Sequence, residues 1–180
     1  MRLRNTHESY GAVSRLLHAA IAMLLLGQLP IGWYMARLSD EDVLYWRLLE
    51  WHIAAGLVLF ALLLLKSGWR VVSPQPALPP ALTAWERRAA RLVHAALNLA
   101  LVIIPLVGVL CVISDGEPVS LYDIVEIPPV GQFSDALRDA LFDLHAWLAY
   151  GSAALVALHV LAAFKHHFLD RRASLRRIAF

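Results

Sequence analysis

The sequence predicts an all-α fold, a transmembrane four-helix bundle with both termini cytoplasmic. Three observations carry that expectation. Of the 180 residues 59% are hydrophobic and the mean hydropathy is positive, outside the usual range of a soluble domain. Four stretches, Leu16 to Ala36, Trp51 to Leu65, Leu92 to Ser114 and Leu144 to Phe164, contain no Asp, Glu, Lys or Arg. The 16 basic residues fall thirteen to three on alternate connections, and cations accumulate in short cytoplasmic loops. That rule puts the N-terminus, residues 66–91 and the C-terminal tail inside.

The elements follow in order as one domain, residues 1–180. Helix 1 covers about residues 14–37; it is too long for a cleavable signal, contains Pro30 and lacks a small-residue cleavage site. A short acidic loop leads to helix 2, about 47–68. Its uncharged run is shorter than the roughly 20 residues a crossing needs, so Glu50 and Lys66 are expected to flank it and snorkel. The proline-rich "SPQPALPP", Ser73 to Pro80, cannot continue a helix. Helix 3 covers about 89–114 and helix 4 about 140–165. Between them "SDGEPVSLYDIVEIPPVGQF" is the longest outer loop, expected along the interface or over a helix end. The basic tail 166–180 reads as a membrane-surface anchor.

Trp33, Trp46 and Trp51 fall near the outer interface and Trp69 and Trp85 near the inner one, as aromatic belts do. Membrane orientation accounts for the basic residues, so no nucleic-acid partner is expected. On the outer side Arg37, Arg47 and Arg138 face eleven acids, a formal balance of −8. Cys111 is the sole cysteine, which excludes an intrachain disulfide and a CxxCH attachment motif. Any haem here would be held noncovalently.

The histidines carry the chemistry. His18 lies at the inner end of helix 1 and His52 at the outer end of helix 2; on helix 4, His145 is outer and His159 inner. The fourteen residues between His145 and His159 span about 21 Å, and the helix returns to within about 40° of its starting direction. His52 and His145 thus form an outer layer and His18 and His159 an inner one, with His94 of helix 3 at similar depth. A lone intramembrane histidine is equally well a hydrogen-bonding group between helices. Four in two matched layers favour ligation. Two imidazoles from facing helices suit a six-coordinate haem iron, whereas zinc needs three or four protein ligands. Spacing leaves open whether His18 or His94 is the inner partner of His159. His166 and His167 read as a solvated basic end, and Arg15, Arg70 and Lys165 are placed to meet haem propionates, although the positive-inside rule already accounts for them. A haem-free histidine-based proton or metal transporter is the alternative class.

The segments "LLHAAIAML", "WHIAAGLVLF", "LVHAALNLALVIIPLVG", "SDGEPVSLYDIVEIPPV" and above all "HAWLAYGSAALVALHVLAAFKHHFLDRRASLRRI" resemble the bacterial cytochrome b561 family over nearly the whole chain from Ser14. The resemblance implies an inner-membrane protein with two haems b. It implies His18 and His159 as axial ligands of the inner haem iron, His52 and His145 as those of the outer, and His94 as a family histidine that binds no iron. It further implies a link to the ubiquinone pool, and one branch is similar in function to a superoxide:ubiquinone oxidoreductase. From the residues come a quinone pocket near His94, Lys165, His166 and His167 and a cationic periplasmic electron partner, whereas superoxide as the donor is implied by the resemblance alone. Haem-bearing anchor subunits of formate dehydrogenases and hydrogenases share the histidine layout and tend to carry longer tails, so the short tail here favours the stand-alone family.

Overall fold

The computed structural model describes residues 2–77, 82–114, 116, 118–121, 124–131 and 133–171. Four long helices account for most of them: α1 (Ala12–Met35), α2 (Val43–Val72), α3 (Ala84–Ser114) and α4 (Asp135–Phe164), the last running on into one π-helical turn, Lys165–Leu169. All four are long and apolar enough to cross a membrane. Their large apolar side chains point outward as well as inward: Leu16, Met23, Leu64, Leu99, Trp147 and Leu161 are all exposed. A bundle that is hydrophobic all round suits lipid rather than water.

The core is small. Ile21 and Leu25 of α1, Leu59 and Leu63 of α2 and Leu101 of α3 are buried together, with Val156 of α4 packed against them. Each of these residues lies, in sequence, between the inner and outer histidine levels of its helix. The apolar cluster therefore forms a plug between two polar levels.

The helices outrun the apolar stretches because their ends are capped by polar residues. Asp42 accepts the Leu44 N–H at 2.8 Å and starts α2 four residues before the expected boundary. Thr83 and Glu86 exchange side chain to backbone hydrogen bonds of 2.9 and 3.2 Å, a capping box that starts α3. Glu50 and Lys66 lie inside the continuous helix α2 rather than at its ends.

One end of the bundle gathers the N-terminal segment, the α2–α3 connection and the π-helical turn. Asn5, 6% exposed, is its clip. The Asn5 backbone N–H donates to Ser73 Oγ at 3.2 Å and its Nδ2 to the Pro74 carbonyl at 2.9 Å, while its Oδ1 accepts from Gly11 N–H at 2.9 Å and Ser14 Oγ at 2.7 Å. Trp69 donates to the same Ser14 hydroxyl at 3.1 Å. Only glycine fits at position 11, since a Cβ there would collide with the Leu3 carbonyl oxygen. The start of α1 is thereby locked to the end of α2.

The all-helical architecture holds, with one addition at the opposite end. The long loop carries a short antiparallel hairpin, β1 (Val119–Leu121) and β2 (Val125–Ile127), in which Ser120 stands opposite Glu126. β1 packs against α2 and α3, so this stretch does cover helix ends. The expected anchor tail lies outside the described residues from position 172 onward.

Candidate functional site: two facing histidine layers

Every helix repeats the same interval. His18 and Gly32 on α1, His52 and Lys66 on α2, His94 and Gly108 on α3, and His145 and His159 on α4 are each fourteen residues apart. That interval is about 21 Å of rise and returns to nearly the same helix face. Antiparallel chain directions then sort the eight residues into an inner layer of His18, Lys66, His94 and His159 near the Asn5 clip, and an outer layer of Gly32, His52, Gly108 and His145 near the hairpin.

The structure brings the predicted pairs together. The His52 and His145 ring centroids are 6.1 Å apart at an interplanar angle of 78°, and those of His18 and His159 are 6.5 Å apart at 68°. His94 approaches His159 to 5.1 Å. A metal ion holds an imidazole nitrogen at about 2 Å and the ring centroid lies roughly 1 Å further back, so two axial rings opposed across one ion have centroids about 6 Å apart. The two predicted pairs fit that separation. The His94–His159 approach is too short for it.

The outer layer shows how an imidazole is held with one nitrogen free. His145 Nδ1 lies 3.1 Å from the Ile104 carbonyl oxygen. A carbonyl only accepts, so Nδ1 carries the proton and Nε2 is left with a lone pair. His52 is steadied through its backbone: buried Gln28 donates Nε2 to the His52 carbonyl at 2.7 Å, and Gly56 leaves room for that reach, since a Cβ there meets Gln28 Nε2 at 3.2 Å. Gln28 Oε1 and His52 Nδ1 are buried without a hydrogen-bond partner. The two glycines face the rings. A Cβ at Gly32 meets His52 Cε1 at 3.1 Å, and one at Gly108 meets His145 Cε1 at 3.0 Å. Opposed neutral imidazoles, orphaned polar atoms and glycine-lined walls together suit a flat, apolar group that takes two axial nitrogens, and a haem is such a group.

The inner layer is more polar. The Lys66 ammonium lies in electrostatic range of His18, His94 and His159, and Asn98 Nδ2 donates to the His94 carbonyl at 2.8 Å. Two of the cations that the sequence offered to propionates also have protein partners: Arg15 Nε donates to the Tyr10 carbonyl at 3.1 Å, and Lys165 Nζ is 3.2 Å from Glu86 and 2.8 Å from Asp170. His166 Nδ1 joins Asp170 at 2.7 Å. Glu86, His166 and Asp170 have the residue types of a metal site, but the Lys165 ammonium already pairs with both carboxylates. His167 Nδ1 is buried without a partner.

Lys66, Gly32, Gly108 and Gln28 were missed from sequence. For the first three a signal existed, the fourteen-residue interval measured from His52, His18 and His94. Gln28 has no such signature, because its role depends on a contact across helices.

The family model described as prokaryotic cytochrome b561 matches residues 9–180. Two proteins of Escherichia coli (strain K12) are similar. Cytochrome b561 homolog 2 is 35% identical over 178 residues, 99% of this chain and 95% of that protein. Cytochrome b561 homolog 1 is 25% identical over 147 residues, 82% of this chain and 81% of that protein. The family implies b-type haem, and the glycine walls generate a test. Gly108→Val is expected to lower haem content with helical content unchanged, measured by haemochrome assay beside circular dichroism. Full haem content would mean that Gly108 borders no cofactor.

Proposed function

We propose that this chain, which belongs to the prokaryotic cytochrome b561 family, carries electrons across the bacterial inner membrane through two haems b, between a periplasmic-side redox partner and the ubiquinone pool. The observation that carries this reading is the pair of opposed imidazoles at 6.1 and 6.5 Å, one pair above the other. His18 and His159 hold the inner haem, His52 and His145 the outer. The bound haems supply one-electron redox chemistry that no side chain here offers. The chain fixes the His145 tautomer through Ile104, leaves room at Gly32 and Gly108, and keeps water out with the Leu59, Leu63 and Leu101 plug. The basic residues favour a cytoplasmic position for the end that holds the Asn5 clip.

A reduced-minus-oxidised optical spectrum of ligand variants tests the assignment. His52→Ala and His145→Ala each lose the outer haem alone, and His18→Ala and His159→Ala the inner haem alone. His94→Ala keeps two haems. A one-haem His94→Ala protein would make His94 a ligand and overturn the pairing.

Ubiquinone docks at the inner end, beside His94 and the group of Lys165, His166 and His167. This reading is supported by the orphaned His167 Nδ1 and by the hydrogen-bonded His166–Asp170 pair, because reduction of a quinone to a quinol takes two electrons and two protons. Reoxidation of reduced protein by a water-soluble ubiquinone is expected to slow several-fold in His94→Ala and His166→Ala. Wild-type rates in both would move the site elsewhere.

The outer donor is a cationic protein. Three arginines face eleven acids there, and two of the three are engaged: Arg37 stacks over Trp33 at 3.5 Å and Arg138 pairs with Asp135 at 3.6 Å. A negative field repels superoxide and attracts a basic partner. Haem reduction by superoxide is expected to be slow and to rise with ionic strength, as screening lengthens its reach into the field. A fast rate that falls with salt would reveal a positive funnel and make superoxide the donor.

A further inference from the structure

On α2 the inner-layer position belongs to a lysine. Lys66 stands to His52 as His159 stands to His145, fourteen residues along the same face. It is half-buried, and no carboxylate or hydrogen-bond acceptor among the described residues is paired with it. Of the acids at that end, Glu86 and Asp170 are held by Lys165. An ionisable group set at such depth marks a functional position, and a partner has to be named for it.

The surroundings name one. Helix pitch sets Lys66 at the level of His18, His94 and His159, and Arg70 stands one turn further along α2. The outer layer has nothing similar. At that level α1 and α3 carry Gly32 and Gly108, and His145 bonds the Ile104 backbone carbonyl. Two layers built on one interval thus differ by a cation at the inner one.

We propose that Lys66 poises the inner haem: its ammonium, level with His18 and His159, raises the midpoint potential of the haem they hold above that of the outer haem. The inference rests on the bis-histidine reading above. Reduction of a haem iron from ferric to ferrous adds one electron and no proton, so the site loses one unit of positive charge. A fixed cation favours the less positive product, and favours it more strongly in a low-dielectric bundle than in water. An ammonium also suits a propionate carboxylate, and cancelling that negative charge acts in the same direction. The consequence is directional. An electron supplied by a one-electron reductant on the outer side runs downhill to the inner layer, where two such electrons and two protons convert a quinone to a quinol.

The experiment is an optical redox titration of the full chain in quinone-free detergent, with His52→Ala reporting the inner haem and His18→Ala the outer. Lys66→Gln is expected to lower the inner midpoint and leave the outer one in place, and Lys66→Arg, which keeps the charge, to hold the inner midpoint near its original value. An unmoved inner midpoint in Lys66→Gln overturns the proposal, as does an equal shift of both haems. So does a fall in Lys66→Arg as large as that in Lys66→Gln. If Lys66→Gln retains no inner haem, Lys66→Arg decides: retention at the original midpoint supports the proposal, and loss overturns it. Unchanged midpoints with slowed quinone reduction would give Lys66 to the quinone instead. Should the two histidine variants not keep one haem each, the ligand reading itself fails, and that is seen before Lys66 is altered.

Discussion

Fourteen residues of α-helix rise about 21 Å and bring the chain back to nearly the same face, so side chains at both ends of that interval look into one bundle interior. All four helices here use it, and everything else depends on its being kept in register. Ile21, Leu25, Leu59, Leu63, Leu101 and Val156 fill the space between the two levels. Their burial makes the separation of the levels a property of packing as well as of helix pitch. A polar residue among them would break the plug and let water approach both layers.

Register along the axis is held at the end that carries the Asn5 clip. There Asn5 ties the start of α1 to the end of α2 through four hydrogen bonds, and Lys165 bridges α3 and the end of α4 through Glu86 and Asp170. The two devices differ in strength. Asn5 is buried, so removing it leaves buried donors and acceptors unpaired at about 1–3 kcal/mol each. Lys165 is half exposed, and surface ion pairs screened by solvent contribute little. The α1–α2 pair is therefore the firmer half of this end, and it carries His18 and Lys66.

The apolar runs and the histidine levels were legible because both follow from local sequence: hydropathy marks what can sit in lipid, and helix pitch converts spacing into direction. The helix ends were not, since a hydropathy window stops at the first charged residues while backbone hydrogen bonding does not. Thr83 and Glu86 spell a capping box that hydropathy ignores. Asn5 was illegible for a different reason. Its partners Ser73 and Pro74 are 68 and 69 residues away, and nothing local marks a residue that folds back across a connection. Lys66 was read as a snorkelling flank because a lysine that ends an apolar run usually is one; only its distance from His52 distinguished it.

The two layers use one geometry to opposite ends. At the outer level α1 and α3 contribute glycines, which remove bulk beside His52 and His145 and add no charge. At the inner level the same two helices contribute His18 and His94, and α2 adds Lys66. On the proposed reading this matches the chemistry of each side. Exchange with a one-electron partner moves no proton, and a tight, apolar seat suffices for it. Quinone chemistry couples every pair of electrons to two protons and needs groups that hold and release them. His166 and Asp170 stand within 2.7 Å of each other at that end, and α4 carries both histidine levels before running into the π-helical turn that holds them. A shift in the register of α4 would therefore alter both histidine levels and the His166–Asp170 end together, whereas a change at Gly32 or Gly108 touches the outer level alone.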